Sequence, residues 1–217
     1  MVSHEGAGKY LPERTALPEL REAARSCRGC DLYRDATQTV FGAGPERAKV
    51  VFVGEVPGDR EDTTGEPFVG PAGGLLDKAL EESGIDRGTV YVTNAVKHFR
   101  FVPDERGKRR IHKKPSRSQI VACRPWLVAE LHAVRPEVVV CLGATAAQSL
   151  LGADFRVSKR RGELVELPAE VADGVKAVAM KAVATVHPSA VLRAPADERD
   201  RAYSELVADL RVVAKVL

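Results

Sequence analysis

No stretch of this sequence approaches the roughly 20 apolar residues that a membrane-spanning helix requires. Its opening residues, MVSHEGAGKYLPERT, contain no apolar run of the kind that forms the core of a secretory signal. A cytoplasmic chain with no membrane partner is therefore expected. Cysteine is scarce: Cys27, Cys30, Cys123 and Cys141 are too few and too unevenly spaced for a disulfide framework. In a reducing compartment they stay thiols unless a metal holds them, so metal or core are the open choices. Internal repeats and low-complexity tracts are absent, which leaves no sign of a repeat architecture. Also missing are a Walker A sequence and a GxGxxG that follows a strand; the GAG at 42–44 precedes one. A nucleotide-cofactor oxidoreductase is thus poorly supported.

What is present suits one well-cored domain spanning 1–217: 217 residues, 44% of them apolar, with both charge signs interspersed. The formal charge is only +3, but segment 97–117 carries nine Lys or Arg against Asp104 and Glu105, a local +7 that leaves the rest at −4. So confined a basic footprint, a loop at about 98–117, fits local contact with a phosphodiester backbone. A solvated charged loop is the plain alternative.

Strand-like apolar runs at 49–54, 89–96, 137–143, 163–167 and 182–188 alternate with helical segments at about 16–27, 72–83, 118–134, 144–152 and 197–214. Ser118 is a candidate cap for the third of these helices, and Pro125 is expected to kink it or set its start. Strands apolar throughout and separated by helices predict an α/β fold, a mainly parallel sheet covered on both faces. In such sheets ligands bind beyond the carboxyl ends of the strands, which selects the loops at 54–71, 94–117, 143–145 and 187–195.

Those loops hold the residues with chemistry to offer. Gly54-Glu55-Val56-Pro57-Gly58-Asp59 leaves its strand through two glycines, so its backbone can approach a planar ligand closely. Phe68 stands on a loop, where stacking on a base competes with a core role. Asn94 ends a strand, where an amide that donates and accepts can read a base edge, although a turn-forming Asn has the same address. His187, held by Pro188, reads equally as a loop histidine.

Taken together, GE-x-PG-x-x-ED at 54–62, PFVG at 67–70, TNAVK at 93–97 and HPS-x-x-LR at 187–193 resemble, in order and spacing, the motifs of the family 4 uracil-DNA glycosylases. The resemblance covers Cys27 to about Arg199. It implies a three-layer α/β/α fold around a mainly parallel four-stranded sheet, and uracil-containing DNA as partner, single strands included, with free uracil as product. By motif, Gly54, Val56, Asp59, Phe68 and Asn94 would contact uracil, Phe68 by stacking and Asn94 by disfavouring cytosine. His187 would donate to uracil O2 and steady the leaving uracilate. Ser189 and Arg193 would hold the DNA, Arg193 from the minor groove.

The same family has a C-x-x-C pair and two later cysteines that ligate a [4Fe–4S] cluster. Cys27, Cys30 and Cys123 match three of these; where the family has the other cysteine this chain has His98. Because histidine ligates iron in Rieske centres, Cys27, Cys30, His98 and Cys123 are expected to form a Cys3His set, with Cys141 in the core. The segment between His98 and Cys123 is longer than the family norm and contains Lys108-Arg109-Arg110-Ile111-His112. It resembles the KRRIH loop of the UdgX subclass, which bonds irreversibly to uracil-containing DNA. That implies His112 as nucleophile, Glu55 as its helper, and Lys108, Arg109 and Arg110 on phosphates. Val56 departs from the subclass, which has a polar residue there. An unperturbed histidine would make capture weaken below about pH 6.5. A conventional turnover glycosylase and a non-catalytic iron–sulfur uracil-DNA-binding protein are the competing readings, and a monomer is expected.

Overall fold

The computed structural model describes residues 4–172 and 180–217. In chain order the elements are helix α1 (Leu17–Ala24), strand β1 (Val50–Gly54), helices α2 (Asp59–Thr64) and α3 (Pro71–Ser83), and strand β2 (Val90–Asn94). A small hairpin of β3 (Phe101–Pro103) and β4 (Arg110–His112) follows, then helix α4 (Arg117–Val134), strand β5 (Val138–Leu142) and helices α5 (Ala144–Leu151) and α6 (Val157–Arg160). Strand β6 (Leu164–Glu166), helix α7 (Ala169–Ala172), strand β7 (Lys181–Thr185) and helices α8 (Pro188–Arg193) and α9 (Ala196–Ala214) complete the chain.

The main sheet has the order β2-β1-β5-β7-β6. The first four strands run parallel, and β6 pairs antiparallel with β7 at the edge. Five strands therefore stand where four were expected, the fifth being the short ELVEL run. Alternation along β1 builds the layers. Val51 and Val53 face a core with Trp126, Leu127 and Leu131 of α4, and Val50 and Phe52 face Leu76 and Leu80 of α3 and Leu206 and Leu210 of α9. All these side chains are essentially sealed from water; each contributes about 1.5–3 kcal/mol by burial. The result is the three-layer α/β/α arrangement.

From β1 the chain passes to β2 on one side and later returns to β5 on the other, so the strand order reverses between β1 and β5. The crevice beyond their carboxyl ends is where such a sheet binds ligands. Register brings the loops level: Gly54 pairs with Asn94, and Leu142 with Thr185.

Three local expectations are corrected. Helix α4 starts at Arg117 because Ser116, not Ser118, accepts from Gln119 N at 3.3 Å while the Gln119 side chain returns to Ser116 N at 2.9 Å. Pro125 sits inside that helix; the backbone bond it forfeits falls at the exposed turn bearing Val121. Loop 55–71 contains helix α2, which lacks apolar periodicity but is fastened by Glu61, whose carboxylate accepts from Gly58 N at 3.1 Å and Gly70 N at 2.8 Å.

Candidate active site

Two adjoining cavities open at the crevice. One, of about 370 Å³, is lined by Phe68, Asn94, Asp59, His112 and His187 among others. Its neighbour, of about 600 Å³, has Glu55, Gly143 and Arg161 in its wall and shares Val56, His112, His187, Ser189 and Arg193 with the first. The two histidines thus stand between them.

The first cavity is rigidly built. Phe68 is held at φ 60, a left-handed conformation costly for a bulky residue. Gly54 lies so close to two pocket side chains that a Cβ there would meet Asn94 Oδ1 at 2.3 Å and Phe68 Cζ at 2.8 Å. Only glycine allows that approach. Backbone bonds from Ala95 N to the Gly54 carbonyl at 2.9 Å and from Val96 N to that of Glu55 at 3.1 Å lace the two strand ends together.

Beneath Asn94 lies a buried ion pair. Lys97 and Glu130, both sealed from water, meet directly. Lys97 Nζ also donates to Thr93 Oγ1 at 2.6 Å and to the Asn94 carbonyl at 2.8 Å. Glu130 accepts from Gly42 N at 3.0 Å, the Tyr91 hydroxyl at 2.9 Å and Thr93 Oγ1 at 3.0 Å. Lys97 is therefore no part of the basic surface the sequence suggested. Glu130→Ala is expected to destabilise the fold by about 3–5 kcal/mol, because it strands a buried ammonium. The check is the urea midpoint, with Lys97→Met/Glu130→Leu recovering much of the loss.

His187 has a defined tautomer. Its Nδ1 accepts from Ser189 N at 3.1 Å and lies 2.8 Å from Ser189 Oγ. A backbone N–H can only donate, so the ring proton resides on Nε2. Burial pushes the pKa down to about 4, with Arg193 and then His112 acting the same way, which keeps the ring neutral. Its ring stacks on Phe68 with centroids 6.4 Å apart. Ser189, expected on DNA, is thus also the residue that orients His187. Arg193 is exposed at the rim of both cavities.

His112 ends β4, opposite Phe101, with Phe99 at 6.0 Å between ring centroids. Although the residue is exposed, crowding of its ring lowers its pKa, opposed by Glu55, reinforced by Arg193 and opposed again by Glu61. Two residues earlier on the same strand face, Arg110 donates through Nε to Asp59 at 2.6 Å and pairs with the sealed Asp62 through Nη1. It also stacks over Phe99 and Phe101. Arg110 therefore anchors the hairpin to α2 instead of presenting a free guanidinium to phosphate, and it engages Asp59, which had been assigned to uracil. Lys108 and Arg109 sit at the exposed hairpin turn, their amides held by Asp104 at 2.7 and 3.2 Å and their side chains directed outward.

A residue that sequence reasoning missed is Thr145. Its hydroxyl donates to Glu55 Oε2 at 2.5 Å, bridging β1 and β5 at the crevice. It lies within the selected loop at 143–145, but a threonine at a helix start carries no signal of its own.

All four cysteines are buried. Cys141 is sealed within β5, opposite Val53. Cys27, Cys30 and Cys123 are buried in the α1/α4 layer, where Trp126 Nε1 donates to Cys27 Sγ at 3.2 Å and Lys97 N to Cys123 Sγ at 3.3 Å. Burial pushes Cys30 up to about 11 and Cys123 to about 12. His98, also buried, is driven down to about 4 by burial against an opposing pull from Asp62. Among the described residues no three such donors close around a single ion. The N–H groups of Trp126 and Lys97 aimed at two of these sulfurs are donors of the kind that metal-held thiolates accept.

The sequence matches the model of the Uracil DNA glycosylase superfamily over residues 41–211. It is 40% identical to a type-4 uracil-DNA glycosylase of Archaeoglobus fulgidus over 184 residues, 83% of this chain and 85% of that one. A type-4 uracil-DNA glycosylase of Thermotoga maritima is 37% identical over 85% of this chain and 87% of its own. With a type-5 uracil-DNA glycosylase of Pyrobaculum aerophilum the identity is 30%, over 67% of this chain and 63% of the relative. No described helix is long and apolar enough to cross a membrane.

Proposed function

The chain belongs to the uracil-DNA glycosylase superfamily, and from that footing we propose that it excises uracil from DNA and then holds the abasic sugar covalently through His112. The observation that carries the covalent part is the position of His112, a neutral imidazole in the shared wall of both cavities and beside Glu55.

In this reading an extruded uracil lies against Phe68, with Asn94 on its pyrimidine edge and His187 Nε2–H at O2. As the C1′–N1 bond breaks, its electron pair moves onto uracil, and the His187 donor meets the charge that develops at O2. The sugar is left electron-poor at C1′. The unprotonated nitrogen of His112 adds there, forming a C1′–N bond, and the imidazole sheds its other ring proton to Glu55. Proximity lets an oriented ring outcompete water. Thr145 fixes the carboxylate that receives the proton. Lys108, Arg109, Ser189 and Arg193 hold the DNA strand.

Cys27, Cys30, His98 and Cys123 would hold the [4Fe–4S] cluster, which when bound ties the N-terminal segment to the strand-end loop beneath Asn94. A second reading is favoured by the type-4 relatives and by the roomy cavity at Glu55: a conventional hydrolase in which Glu55 orients water.

Incubation with a uracil-containing single-stranded oligonucleotide, followed by boiling in SDS and assay of free uracil, separates the readings. Free uracil with a boil-resistant band is expected. Free uracil with unshifted, alkali-labile DNA would establish the hydrolase, and neither product would leave a binding protein.

Capture requires the unprotonated ring. Since the His112 pKa is lowered, the half-maximal point of the capture rate is expected below pH 6.5, with capture complete at pH 8 and lost as pH falls through that lower value. This revises the break near 6.5 expected from sequence. Single-turnover rates between pH 4.5 and 8 check it; a half-maximal point at or above 6.5 contradicts it.

A further inference from the structure

Of the cations between 97 and 124, two are engaged inside the protein, Lys97 by Glu130 and Arg110 by Asp59 and Asp62. Lys114, Arg117 and Arg124 instead surround a separate cavity of about 470 Å³ between α4 and α5. Gln148, the exposed Val121 and Thr145 complete the part of its wall that matters here, and no carboxylate is among the described residues that line it. Arg124 Nε is turned to the Ser149 carbonyl at 3.0 Å, while Lys114 and Arg117 are exposed.

Its location distinguishes it from an ordinary solvated helix face. Thr145 forms one wall and also grips Glu55, so the cavity backs onto the catalytic crevice. Lys114 follows His112 by two residues, a reach of at most about 7 Å, comparable to one step along an extended nucleic-acid strand. With the remainder of the chain net negative, this acid-free concavity is positioned to take up the polyanion where it leaves the crevice.

We propose that the cavity is a second nucleic-acid subsite, one that holds a phosphodiester of the strand flanking the extruded uridine on one side. Lys114 and Arg117 meet the phosphate, Arg124 supports them, and the exposed Val121 offers an apolar surface to the neighbouring base. The assignment rests on reading the crevice as a uracil-DNA site. Each phosphate contact on a single strand releases roughly 0.7 counterion. Losing that one contact should therefore flatten the salt dependence of binding by about 0.7 in log–log slope, with an affinity loss of about tenfold.

The test is fluorescence anisotropy on the full chain, using oligonucleotides whose 2′-fluoro-deoxyuridine cannot be cleaved. One carries flanks on both sides, one only a 5′ flank and one only a 3′ flank. Lys114→Ala/Arg117→Ala is compared with the parent and with Lys49→Ala/Lys181→Ala, which removes the same charge at the opposite end of the sheet. The expected result is an affinity about tenfold weaker, with the flatter salt slope, on the two-sided oligonucleotide and on one of the one-sided ones, and unchanged affinity on the other. Parent-like binding to all three overturns the proposal, as does an equal loss on all three or the same loss from the Lys49/Lys181 variant. Equal parent affinity for the thymine counterpart would instead strike the uracil reading of the crevice, an outcome legible separately from the flank dependence.

Discussion

His112→Ser is expected to lose the boil-resistant attachment to uracil-containing DNA completely while still releasing uracil. The serine hydroxyl is shorter than the imidazole and only weakly nucleophilic while it keeps its proton, so C1′ is left to water. The DNA recovered should carry an alkali-labile abasic site in stoichiometric amount. Released uracil should rise with time beyond one equivalent, because the protein is no longer consumed. Folding should be unaffected, since the hairpin is held by Arg110 on Asp59 and Asp62 rather than by the exposed His112. Persistence of the attachment in this variant would assign the nucleophile to another residue.

The second large effect concerns bond breaking itself. His187→Ala should slow uracil release by about 10²–10³-fold, the magnitude associated with losing one preorganised donor at a developing oxyanion. Attachment should slow in proportion, since capture follows cleavage. The hydrogen bonds from Ser189 place the donor proton on Nε2, so Ser189→Ala, which keeps the backbone N–H but removes the hydroxyl, should cost much less. Quenched-flow or gel-based single-turnover assays read both. Equal losses from the two variants would mean that the ring acts only while the Ser189 hydroxyl holds it, and that the backbone N–H alone does not orient it.

The parts of the architecture that were legible in the sequence are those dictated locally. VVFVG and VVVCL are apolar on both faces, which only a covered parallel strand tolerates, and Gly84 at φ 81 ends α3 where a left-handed residue is needed. The β3–β4 hairpin was illegible because its strands are three residues each, too short to show an alternation, and the turn between them is crowded with charge. Its stability comes from Arg110 reaching carboxylates some 50 positions earlier in the chain. Helix α2 escaped for a related reason, since its fastening lies in the Glu61 carboxylate and not in a hydrophobic stripe. Counting charges overstated the basic surface: Lys97 and Arg110 are cations in composition but are neutralised by Glu130, Asp59 and Asp62 in space.

The site shows the same division. Motif spacing led to Glu55, Phe68, Asn94, His112 and His187, which the fold gathers around two adjoining cavities. Residues that only orient others had no sequence signature. Thr145 acts on Glu55 from 90 positions away, and the dependence of the His187 tautomer on Ser189 becomes visible only as a hydrogen bond. The lowered pKa of His112 was likewise hidden, being a consequence of which walls crowd its ring.

The most direct measurement is mass spectrometry of the protein after reaction with a uracil-containing oligonucleotide, nuclease digestion and trypsin. Cleavage after Arg110 and Lys113 isolates the peptide Ile111–Lys113. The account predicts this peptide bearing a deoxyribosyl group on histidine, with the unmodified peptide depleted to match the uracil released. Unmodified Ile111–Lys113 alongside released uracil, or a sugar on any other peptide, would contradict it.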